Sequence, residues 1–303
     1  MANQSLPTYG GQAVIEGVMM RGANAFAIAM RSPEDEIVLH TEELGGIYKS
    51  RITKIPFLRG LVMLWDALGL GMRALTISAN VQTGEDEKIE GATLYLTIAF
   101  SLSLSIGLFF LLPAGAAHLI EQWLSPGGGT VSPAIAWWGN LAEGVVRLAL
   151  MIGYIGLIGQ MEDIKRVFGY HGAEHKVINA FESGAELTPE VCQTHSIEHP
   201  RCGTAFLLSL ILISILIFTL LGPMTLLPRL LTRVLLIPII AALAYEYIRW
   251  TAKNMENPLV RWLIKPNLAL QRLTTREPTL DMLEVSIASF KAMRTKETDF
   301  MVP

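Results

Sequence analysis

One short stretch, His171-Gly172-Ala173-Glu174-His175-Lys176, carries the residue types and spacing of a metal site. Residues four apart on a helix share a face with Cβ atoms about 5–6 Å apart, which suits two imidazoles on one ion. Glu174 is offset from His171 and His175, where a carboxylate serves as general base toward a water. The pattern H-x-x-E-H is that of the inverted zincins. The plainer alternative is a helix end whose histidines bond to backbone or to nearby carboxylates. A second run, His195 to Thr204, repeats H-x-x-E-H, but Pro200 breaks the helix it would need. His199 and Cys202 are therefore the donors from that run suited to a shared site. Four of the six histidines and both cysteines fall within 171–202. Imidazole with thiolate points to a divalent metal, zinc first. Cys192 also reads simply as a small buried residue.

Other polar groups stand where they are costly. Glu143 and Arg147, four apart, interrupt an apolar run, so they pair with each other or line a pocket or ion path. Glu246, near the end of another apolar run, extends such a wall or snorkels beside Arg249. Near the N-terminus, glycines bracket the strand-like Gln12–Arg21, whose Glu16 and Arg21 are within reach of a site built by 171–202. That run lacks the Gly-Lys-Ser/Thr ending of a phosphate loop.

These residues must be held by membrane-type elements. The 303 residues are 51% apolar and only 17% charged, with mean hydropathy +0.41, whereas soluble domains carry about 25% charged residues. A net charge of −3 argues against bulk capture of nucleic acid. The N-terminus shows no signal-peptide pattern. Four runs approach the length needed to cross a bilayer: 91–112, 134–160, 204–221 and, interrupted by Pro228, Arg229, Arg233 and Pro238, 226–248. In the fourth, the Pro-Arg start is expected at the interface, its arginines snorkelling. Lys and Arg number eight in 1–90, four in 161–203 and nine in 249–303. The positive-inside rule then places both termini and the 161–203 loop in the cytoplasm, with the Ser125–Pro133 run as an outer turn.

Outside the spans, 1–50 reads as a small β unit with strands at 12–21, 25–32 and 36–42 and a hairpin turn at Ser32–Asp35. Residues 51–90 read as an amphipathic helix from Pro56 to Asn80 plus an acidic linker from Thr83 to Glu90. Arg59, Asp66 and Arg73 recur every seven residues on one face of that helix. Residues 91–250 form the transmembrane region with its His/Cys loop, and 251–303 a C-terminal cytoplasmic helical segment.

The blocks Gly11–Gly22, Glu143-Gly144 with Arg147, Tyr170–Lys176, His199–Thr204 and Leu273–Pro278 together resemble the YqhQ-like family of bacterial membrane proteins. That family is of unknown function and is often labelled as predicted metal-dependent enzymes. The resemblance spans nearly the whole chain. It implies that His171, Glu174, His175, His199 and Cys202 belong to a shared site. It sets the second H-x-x-E-H aside, and it gathers Glu16, Arg21, Arg147, Arg201 and Arg276 about one cytoplasmic polar centre; Lys176, beside His175, is a further polar candidate.

The expectation is thus an α-helical inner-membrane protein of about four spans with a cytoplasmic α+β portion. His171 and His175 would bind the metal, His199 or Cys202 would complete the site, and Glu174 would be the base for hydrolysis of a peptide, amide or ester. The rivals are a channel or transporter built on Glu143 and Arg147, and an assembly protein with a structural His/Cys knot. Polar groups on the spans leave room for a homo-oligomer.

Overall fold

The computed structural model describes residues 9–45, 52, 55–83, 91–124 and 132–299. The expected outer turn at 125–131 and the linker at 84–90 lie outside the described residues, as does the Asp66 side chain. Four strands, β1 (Gly10–Val14), β2 (Gly17–Arg21), β3 (Ala25–Arg31) and β4 (Ile37–Glu43), form an antiparallel sheet in chain order. Among the described residues the helices are α1 (Leu58–Thr83), α2 (Gly91–Ile106), α3 (Leu112–Leu124), α4 (Pro133–Ile158), α5 (Glu162–Glu182), α6 (Pro189–Gln193), α7 (Gly203–Leu220), α8 (Leu226–Leu235), α9 (Ile237–Lys253), α10 (Pro258–Thr274) and α11 (Leu280–Asp299). A π-helical turn, Gly107–Leu111, joins α2 to α3.

The sheet separates two cores because successive residues of a strand face opposite ways. Val14, Met19, Phe26, Ile28 and Met30 pack on Leu70 and Ala74 of α1. Val18, Met20, Ala27 and Ala29 face Tyr170, Ala173 and Val177 of α5 and Leu283, Phe290 and Met293 of α11. The chain's two ends are therefore laced together. Ser289 Oγ accepts the Met20 N–H and donates to Ala27 O, and the Glu297 carboxylate accepts from Asn24 and Ala25 N–H. The single strand expected over 12–21 is instead a hairpin, with Val14 opposite Gly17. Glu16 makes the turn in the left-handed region at φ 52°. The β3–β4 hairpin turns at Ser32–Asp35 as expected, closed by Ser32 N–H to Glu36 O.

Helix α1 ties the sheet to the helical bundle. Its C-terminal half lies under the sheet, while Gly60 sits against Ala242 and Tyr245 of α9. Arg59 is bound to Glu246, which ties the start of α1 to α9. Arg73 reaches Glu42 on β4.

Among the described residues three helices are long and apolar enough to cross a membrane: Leu94–Trp123, Pro133–Ile158 and Gly203–Leu220. A fourth crossing would be the pair α8 and α9, bent by 42°, where Pro238 at the start of α9 has no N–H to continue the ladder. The bundle is apolar outside and charged inside. Leu96, Phe100, Trp123, Leu157 and Leu216 are exposed, while Glu121, Glu143, Arg147, Arg229 and Arg233 are buried. Glu143 and Arg147 do pair, at 2.6 Å, but within a larger knot. Arg233 places Nε and Nη2 on the two oxygens of Glu143, and Arg229 is bidentate to Glu121. Asn140 Oδ1 accepts from both Arg229 and Arg233. The arginines expected at the interface are thus interior, because carboxylates and an amide await them there. Arg147 Nε also donates to Phe109 O at 2.8 Å. That carbonyl stands four residues before Pro113, which has no N–H to offer it. The Arg147 and Arg233 guanidinium groups lie 5.1 and 4.3 Å from the centre of the Phe218 ring, whose face favours cations.

Every group in this knot depends on its partners. Removing one charge of a buried pair costs about 3–5 kcal/mol. Glu143→Gln is expected to lower stability in detergent by roughly that much, whereas Leu216→Ala on the exposed face should change it by about 0.5 kcal/mol or less. Unfolding curves of the two variants measure the contrast.

Candidate metal centre

Helix α5 presents the site. It follows α4 after three residues, opens with Glu162 and Asp163 in its first turn, and closes at Gly184 in the left-handed conformation at φ +77°. One of its faces is stitched to the loop that follows α6. His175 Nδ1–H donates to Ile197 O at 2.5 Å. Lys176 Nζ donates to Gln193 O and His195 O, and Asn179 Nδ2 to Ser196 O and Glu198 O. Lys176 also meets Glu277 at 3.0 Å. It therefore holds the loop and does not face the cluster.

Opposite this loop, α10 ends at Thr274, leaving a terminal carbonyl with no intrahelical donor. His171 Nδ1–H takes it at 2.8 Å. A carbonyl only accepts, so both Nδ1 atoms must carry hydrogen, and each neutral ring then keeps its lone pair on Nε2. His171 Nε2 lies 3.1 Å from Cys202 Sγ. His175 Nε2 is buried and finds no hydrogen-bond partner among the described residues. Ligand atoms of His171, His175 and Cys202 all lie within 4.8 Å of one another. Cys202 in turn is the N-cap of α7, its sulfur accepting the Thr204 N–H.

His199 stands beside this set. Its ring centroid is 5.7 Å from that of His175, and its Nε2 is 3.7 Å from Glu182 Oε2. Gln271 clamps its backbone from both sides, accepting the N–H and donating to the carbonyl. Burial pushes the His199 imidazole below its ordinary range, against the pull of Glu182. Burial would raise Glu182, but bonds from His199 and Arg201 outweigh it and hold that carboxylate low.

Glu174 is buried between α5 and β1, outside the tight ligand set. Desolvation pushes its carboxyl up to about 7, opposed by His171 and a hydrogen bond from Gly11. A dication nearby would favour its ionised form. Gly11 leaves room for it, since a Cβ there would stand 2.9 Å from Glu174 Cδ and 2.6 Å from Met19 O. Gly172 serves the same end across the helix, where a Cβ would overlap Arg276 O.

The remaining candidates are dispersed. Glu16 accepts from Arg166 and Tyr170 on α5, and the Arg166 bond holds its carboxyl low. Arg201 is bound to Glu182. Arg276 docks through its backbone, N–H to Phe168 O, with an exposed side chain. Glu143 and Arg147 belong to the bundle knot. The second H-x-x-E-H is structural, with His195 bonded to Val191 O and Ser183 Oγ and Glu198 paired with Arg272. Asn179, Gln271 and Thr274 position the site and escaped sequence reasoning, because each acts through backbone atoms.

The family described as "Protein of unknown function (DUF1385)" matches residues 55–296, so the chain belongs to that family. The "Uncharacterized protein YqhQ" of Bacillus subtilis (strain 168) is 35% identical over 307 residues, covering 95% of this chain and 92% of that protein. No solved structure matches.

The two cysteines should differ chemically. Cys192 is fully buried and its thiol is pushed up to about 11 by desolvation, so it carries almost no thiolate at pH 8. Iodoacetamide at pH 8 should leave Cys192 of the native protein unmodified, and peptide mass mapping reads the result. Its modification at the rate of an unfolded control would contradict the packing described.

Proposed function

We propose that this DUF1385 protein is a multi-pass protein of the bacterial plasma membrane that holds a divalent metal, zinc first, on His171, His175 and Cys202. What carries the reading is the pair of Nδ1–H bonds to Thr274 O and Ile197 O. They fix the tautomer of both imidazoles, leave the His171 Nε2 lone pair facing the Cys202 thiol, and leave the His175 lone pair buried without a partner among the described residues. Metal-binding histidines are held in this way by groups behind them. Two imidazoles and a thiolate suit zinc, and three protein donors leave a fourth position open, as catalytic sites do. His199, at the edge, is the fourth protein donor that would close a structural site instead.

When bound, the ion would supply Lewis acidity to a carbonyl or phosphoryl oxygen. The chain's own contributions are separable. His171, His175 and Cys202 bind, and Glu174 takes a proton from the attacking water as general base. Gly11 and the sheet exclude bulk solvent behind Glu174, and the reaction class is hydrolysis of a peptide, amide or ester at the membrane face. The positive-inside pattern supports a cytoplasmic position for this centre. The exposed apolar faces of the bundle support insertion in lipid.

Cobalt(II) reports on the ligands without any substrate. Protein stripped of metal and reloaded with cobalt should show a near-ultraviolet thiolate-to-cobalt charge-transfer band, lost in Cys202→Ser and retained in Glu174→Gln. A spectrum identical in wild type and Cys202→Ser would refute the ligand assignment. Loss of cobalt from Glu174→Gln would make that residue a ligand and remove it as the base.

A further inference from the structure

Beside the metal centre lies a cleft of about 530 Å³ between the end of the β1–β2 hairpin and the C-terminal part of α9. Arg21, Arg201, Arg249 and Lys253 line it together with Tyr245, and among the described residues no carboxylate does. Arg201 is itself paired with Glu182, and the neighbouring Glu246 binds Arg59. The wall is cationic even with Arg201 paired, and it faces a space of the size that takes a small-molecule ligand.

Its position matters as much as its charge. Gly10 lines the cleft, and the next residue, Gly11, donates to Glu174. Arg201 lines it too, and the next residue, Cys202, is in the ligand set. Two independent chain connections therefore put the wall of the cleft next to the donor that holds the base and next to a ligand. On the other side, the apolar run of α9 gives way to Arg249 and Lys253, where a bilayer surface would lie.

We propose that this cleft binds a phosphate-bearing anion, the headgroup phosphate of an anionic lipid or a free phosphate ester, and presents it to the metal centre. Planar guanidinium groups donate in pairs to phosphate oxygens, and a lysine adds a compact charge. What happens to the bound anion rests on the metal-centre reading; its binding does not.

The test titrates full-length protein in a neutral detergent with two probes, short-chain phosphatidylglycerol and glycerol 3-phosphate, by isothermal titration calorimetry. Saturable binding of at least one probe is expected, weakened ten-fold or more in Arg249→Gln/Lys253→Gln with metal content unchanged. His171→Ala/His175→Ala should lose metal yet bind the probe within two-fold of wild type. Binding of the lipid alone assigns a headgroup held with its acyl chains in the bilayer; equal binding of glycerol 3-phosphate assigns a soluble ester. No saturable heat from either probe, or equal affinity in the cleft variant, overturns the proposal. Loss of binding only in the histidine variant also overturns it, because the anion would then sit on the metal.

Discussion

A backbone carbonyl can only accept a hydrogen bond, and the α/β half of this molecule is arranged around two that do so from imidazoles. Thr274 O exists as an acceptor because α10 ends there, and Ile197 O because Pro200 keeps its loop from becoming helix. Between them α5 carries His171 and His175 as a rigid pair four residues apart. The two bonds choose the tautomer of both rings and direct both Nε2 atoms inward. Lys176, Asn179 and Gln271 matter because they hold the carbonyls in place.

The same centre is fastened to the apolar half. Cys202 caps α7, one of the helices able to cross a bilayer, and α5 follows directly from another. The ligands therefore sit at the ends of stiff rods whose relative placement is set by the knot of Glu121, Glu143, Arg147, Arg229 and Arg233. That knot holds three guanidinium groups against two carboxylates, with the faces of Phe110 and Phe218 and the carbonyl of Phe109 turned toward the excess charge. With both oxygens of Glu143 occupied by arginines, it clamps α3, α4 and α8 together.

Much of this was legible in the residues. The i, i+4 spacing of His171 and His175, the cluster of donors within 171–202 and the three long apolar runs all carry a periodic or compositional signal. The Glu143–Arg147 pair did too, since both charges stand one turn apart in an apolar run. What escaped has no such signal. Arg229 and Arg233 sit near the start of an apolar run and read as interfacial until Glu121 and Asn140, some ninety or more residues earlier, are brought beside them. The turn at Glu16 depends on a left-handed residue that is not glycine, so 12–21 read as one strand. The acceptors for the two histidines are main-chain atoms, which residue type does not mark. The joining of the N-terminal sheet to α11 rests on long-range contacts alone.

Metal stoichiometry tests the account most directly. Elemental analysis of full-length protein purified without a metal-affinity tag, wild type beside His171→Ala/His175→Ala, should give close to one divalent ion, zinc, per wild-type chain and background in the variant. Background metal in both, or equal metal in both, would contradict the centre assigned to His171, His175 and Cys202.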